Sequence, residues 1–96
     1  MKRTNAQPIG DVLQEFFSQP YIAAKIAEGR LPDTWREVVG ERAAAATVDL
    51  RLERYVLYAR ISSSAIRHEL FLRRDAIAAE INRHSGVRLV NVVIIK

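Results

Sequence analysis

The sequence predicts a single α+β domain built on a three-stranded mixed sheet. Its apolar residues recur at spacings of three and four up to Val39, alternate with charged residues from Thr47, and return to helical spacing from Ile66. A helical stretch separates the last two strands, which favours a right-handed parallel crossover between them. The chain has 96 residues, 49% hydrophobic and 27% charged, which suffices for one core and not for two. Residues 1–96 are therefore expected to form one domain, with residues 1–7 flexible.

Ile9, Val12, Leu13, Phe16 and Phe17 form an amphipathic stripe, and Pro8 suits the first turn of that helix. Ser18-Gln19-Pro20 interrupts it, because the residue before a proline is pushed out of helical geometry. Ile22 and Ile26 carry a second helix toward a stop at Gly29. A third runs from Leu31 to Val39, with Pro32 and Asp33 at its start and Gly40 just past its end.

From Thr47 the period is two. Val48, Leu50 and Leu52 alternate with Asp49, Arg51 and Glu53, the pattern of a half-buried strand. The next strand, Tyr55 to Ile61, sets Leu57, Ala59 and Ile61 on one face and Val56, Tyr58 and Arg60 on the other. The hairpin turn is expected near Glu53-Arg54, without the usual Gly or Asn. Ser62-Ser63-Ser64 offers caps for one long helix over about 63–84, whose core stripe is Ile66, Leu70, Ile77 and Ile81. Gly86 ends it. Val87 to Ile95 follows as a strand apolar on both faces, a pattern expected of a central or doubly covered strand.

Composition removes several function classes. Without cysteine there is no disulfide scaffold, thiolate metal site or cysteine nucleophile. No P-loop, dinucleotide-binding glycine motif, G-x-S-x-G or H-E-x-x-H occurs. His68 and His84 lie sixteen residues apart and cannot share a metal, and the serine cluster reads as a cap rather than a nucleophile. No enzymatic activity, cofactor, metal or small-molecule substrate is expected. The basic start lacks the apolar run of a secretory signal, and no apolar stretch could span a bilayer, so a cytoplasmic protein without membrane contact is expected.

Charge is uneven. Residues 1–50 hold six basic and seven acidic side chains, residues 51–96 nine and four, and twelve of the fifteen cations are Arg. A basic half points to a polyanion or an acidic protein surface, or it is simply a solvated Arg-rich face. On the long helix Arg67, Phe71 and Arg74 line up beside the apolar stripe. An aromatic between two arginines suits a partner groove or a stacked base with phosphates alongside. The alternative is that Phe71 covers the sheet and both arginines lie over it. Reversing both arginines is expected to remove binding and leave the fold intact. Arg73 falls near the centre of the apolar face and needs either an acid, Glu69 or Glu80, or an opening of the helix. Arg83 and Arg88 extend the basic set. Trp35, the one tryptophan, is either a core anchor or an interface anchor.

Leu31-Pro32-x-x-Trp35-x-x-Val38-Val39-Gly40, the hairpin end Val56-Leu57-Tyr58-Ala59-x-Ile61-Ser62-Ser63, Arg67-His68-Glu69-Leu70, Ile81-Asn82 and the closing strand resemble the bacterial DciA-like family, over about residues 8–96. The short form without a flexible extension is similar to the Bacteroidetes branch. The resemblance implies a KH-like fold of type II and an adaptor in DNA replication that contacts the replicative DNA helicase. DNA, single- or double-stranded, is a further partner it implies. A small nucleic-acid-binding domain acting without the helicase is the alternative. The G-x-x-G loop of KH domains is absent, since no two glycines are three apart, which argues against the usual KH clamp on nucleic-acid backbone.

Overall fold

A computed structural model describes residues 20–96. The helix expected around Ile9 to Phe17 and the flexibility expected of residues 1–7 lie outside the described residues. Within them the order is α1 (Pro20–Gly29), α2 (Leu31–Val39), α3 (Glu41–Ala45), β1 (Thr47–Glu53), β2 (Val56–Ile61), α4 (Ser64–Leu72), α5 (Arg74–Ser85) and β3 (Val92–Ile95). Local chemistry explains most of the boundaries. Proline stands at the start of α2 and Asp33 in its first turn. Gly40, at φ 94°, ends α2 with its N–H on the Arg36 carbonyl. The Ser63 hydroxyl accepts the Ile66 N–H at 3.3 Å and caps α4. Gly86 closes α5 at φ 75°, a left-handed conformation that suits glycine.

The sheet order is β1-β2-β3, with β1 antiparallel and β3 parallel to the central β2. One sheet face receives the helices. There Leu57, Ala59, Ile61 and Val93 are buried with Trp35, Ile66, Leu70, Ile77 and Ile81. Each fully buried Leu or Ile side chain stabilises the fold by about 1.5–3 kcal/mol before entropy is counted. α5 packs on both β3 and α2, and so joins the sheet to the N-terminal helices.

Four expectations need correction. The single long helix is two helices, broken at Arg73, whose φ of −102° and ψ of 8° leave the helical region. A continuous helix would turn the Arg73 guanidinium toward the core; at the break the side chain is exposed instead. The Arg73 N–H bonds the Leu70 carbonyl at 3.1 Å in a tighter turn, and the Arg74 guanidinium donates to the Phe71 carbonyl at 2.8 Å. Neither acid expected for Arg73 is its partner: Glu69 faces Arg42, and Glu80 faces Arg83 and His84.

The last strand is shorter than expected and lies at a sheet edge. Leu89 and Val90 are both buried, which a strand cannot do with consecutive side chains against one layer. The Asn82 side chain holds this segment, accepting the N–H groups of Leu89 (2.8 Å) and Val90 (2.9 Å) and donating to the Val90 carbonyl (2.8 Å). The hairpin turn is one residue later than expected, at Arg54-Tyr55. Val48 leaves the inward face because a bulge between Thr47 and Asp49 interrupts the alternation, and it is 56% exposed.

Candidate functional site

The expected helix flank exists, but on a corner rather than along one rod. Phe71, in the last turn of α4, is 46% exposed, and its neighbour Leu72 is 67% exposed. The Arg74 guanidinium lies over the Phe71 ring at 4.0 Å while bonding the Phe71 carbonyl. This pair is therefore fixed by the helix break itself. Arg67 and Phe71 line one shallow depression with Ser64, His68 and Ile95.

Arg67 has a second task. It donates to the Ile61 carbonyl at 3.0 Å, tying α4 to the end of β2, and its Nε is buried without a partner. Reversing its charge would set a carboxylate near a backbone carbonyl, so the expectation that both arginines can be reversed without cost fails at Arg67. Arg73 is exposed at the same corner and has no ion-pair partner among the described residues. Arg83 lies about 14 Å further along α5 by helical rise and is bonded to Glu80. Arg88 is exposed in the segment before β3. These two do not join the Phe71 corner.

Trp35 is core. It is 2% exposed, and its Nε1–H donates to Thr47 Oγ1 at 3.0 Å, while the Thr47 hydroxyl donates to the Ala43 carbonyl at 2.9 Å. That chain satisfies the indole and joins α2, α3 and β1, so the ring is closed to a partner.

A second group of residues was not singled out as a site from sequence. On the sheet face away from the helices, register aligns Arg51 with Tyr58 and Tyr58 with Ile94. The Arg51 guanidinium lies 4.7 Å and Lys96 Nζ 5.3 Å from the Tyr58 ring centre. The alternation of Val56, Tyr58 and Arg60 was the available signal. It could not reveal which strands lay alongside, because the neighbours come from 51 and 94.

Among the described residues no group of His, Asp or Glu side chains could hold a metal, and no helix is long and apolar enough to cross a membrane. No curated protein and no solved structure matches the chain. A family model described as Dna[CI] antecedent, DciA, matches residues 8–95. With nearly the whole sequence inside that match, including both sheet faces and the Phe71 corner, the chain belongs to the DciA family.

Proposed function

We propose that this protein is a non-enzymatic adaptor in DNA replication that binds the replicative DNA helicase through the Phe71 corner. Family membership supports the partner. The observation that supports the surface is Phe71 itself, a large aromatic exposed beside Leu72 and held in place by Arg74. Anchors of this type, aromatic and Arg together, carry much of the binding energy at interfaces. The corner is also pre-organised, since the Arg74 bond to the Phe71 carbonyl fixes the ring's neighbour before any partner arrives. The order of two helices between parallel strands, following an antiparallel hairpin, supports the KH-like reading. The break between α4 and α5 contains no glycine, which removes the usual KH backbone clamp from that corner.

Titration with the helicase of the same cell, followed by light scattering, tests the reading. Phe71→Ala with Leu72→Ser is expected to weaken the complex at least tenfold, the effect of losing ~1.4 kcal/mol at a hot spot. Neither side chain belongs to the buried core, so the variant should stay folded, with a smaller fall in melting temperature than a core truncation causes. No complex with the unaltered protein at tens of micromolar would end the helicase reading. A second reading, direct contact with DNA, draws on exposed cations that lack an acid partner among the described residues, Arg60, Arg73, Arg88 and Lys96 among them.

A further inference from the structure

We propose that the sheet face opposite the helices, centred on Tyr58, is a stacking platform for single-stranded nucleic acid. The proposal rests on the DNA-contact reading and gives it a surface and a ligand class; it does not need the helicase contact.

The face combines what an unpaired strand requires. Tyr58 stands on the central strand, with Arg51 on one side and Ile94 on the other. Val92 and Ile94, 47% and 38% exposed, continue an apolar floor from Val56. Around that floor stand Arg51, Arg54, Arg60 and Lys96 against two acids, Asp49 and Glu53, and Glu53 is already 3.6 Å from Arg51. Cations packed over a tyrosine ring are positioned both to stack with a base and to meet the phosphates beside it. Stacking needs a free base face, which a single strand offers and a duplex, with both base faces occupied by neighbours, does not.

The hairpin tip supplies an independent observation. Arg54 and Tyr55 have φ of 50° and 69°, left-handed values that a hairpin turn of this kind normally gives to Asn and Gly. Arg54 and Tyr55 are both exposed, so burial of neither side chain demands these conformations. Arg54 lines one depression with Glu53, Val56 and Tyr58, so the strained tip borders the platform. A second cation and a second tyrosine are thereby presented at the platform's edge. An acidic protein segment would meet the same charges, but it gives no reason for two tyrosines at a strained turn and an open strand face.

Fluorescence anisotropy with a labelled oligothymidine of about 15 nucleotides tests this, at low salt and then between about 50 and 200 mM. Tyr58→Ala is expected to weaken binding about five- to 150-fold, the loss of one stacked base, while Tyr58→Phe retains it. Arg60→Glu, an exposed change that spares the core, should weaken binding and flatten its salt dependence. The duplex of the same length should bind more weakly. Failure of the unaltered protein to bind either the oligomer or the duplex at low salt overturns the DNA reading and the platform together, and binding of the duplex alone overturns the platform. Binding that survives Tyr58→Ala and Arg60→Glu but falls with Arg73→Glu overturns the platform alone. So does equal affinity for the duplex, or a loss of helicase capture by Tyr58→Ala with DNA binding intact, which would make the face a protein contact.

Discussion

Asn82→Ala should destabilise this small domain far more than a half-buried polar residue usually does. The Asn82 side chain makes three hydrogen bonds of 2.8–2.9 Å to the backbone of Leu89 and Val90. Those two residues are 3% and 2% exposed, so their N–H groups and the Val90 carbonyl have little access to water. Each such group left unpaired costs about 1–3 kcal/mol. Three would cost roughly 3–9 kcal/mol if nothing replaced the amide, and water entering the space left by the smaller side chain should recover about half. The expected loss is therefore about 2–4 kcal/mol, against a total stability of about 5–15 kcal/mol for a domain of this type. Urea unfolding measures it directly. At a slope of about 1 kcal/mol/M the midpoint falls by about 2–4 M, with the slope itself unchanged. Asn82→Asp keeps both acceptor bonds but sets a carboxylate oxygen against the Val90 carbonyl, so it should not restore the stability of the unaltered protein. A loss below about 0.5 kcal/mol for Asn82→Ala, the range of ordinary surface changes, would refute the reasoning, because the loop would then hold itself without the amide.

Two further outcomes follow from the packing. Thr47→Val removes the acceptor of the Trp35 indole in a closed environment and should cost about 1–3 kcal/mol, read as a lowered melting temperature; an unchanged one would mean the indole N–H finds another acceptor. Tyr55→Gly relieves a left-handed residue at the hairpin tip and should stabilise the fold by about 1 kcal/mol in the same urea assay; a destabilised variant would show that the Tyr55 ring packs in a way its exposure conceals.

Much of this protein was legible from residue periodicity because its core residues lie close together in sequence. Ile66, Leu70, Ile77 and Ile81 repeat at helical spacing and are all buried, and Leu57, Ala59 and Ile61 alternate as strand residues do and form the floor beneath them. The caps at Ser63, Gly40 and Gly86 act within a few residues and so were readable from local chemistry. The exposed Phe71 beside Arg74 was visible for the same reason. Tertiary structure decided what depends on distant neighbours. Arg73 stood out in the sequence as a cation near the centre of the apolar stripe, answered either by an acid or by an opening of the helix; only the tertiary structure, which gives Glu69 and Glu80 other partners, decided for the break. Asn82 looks like an unremarkable polar residue until the return of the chain at Leu89 and Val90 brings three backbone groups to it. The apolar character of Val92 to Ile95 is the same in a central as in an edge strand; strand order put β3 outside, and the sheet face without helices left Val92 and Ile94 open to water. Tyr58 acquired its two cations in the same way: Arg51 and Lys96 are seven and thirty-eight positions away, and pairing across three strands is what sets them on one ring.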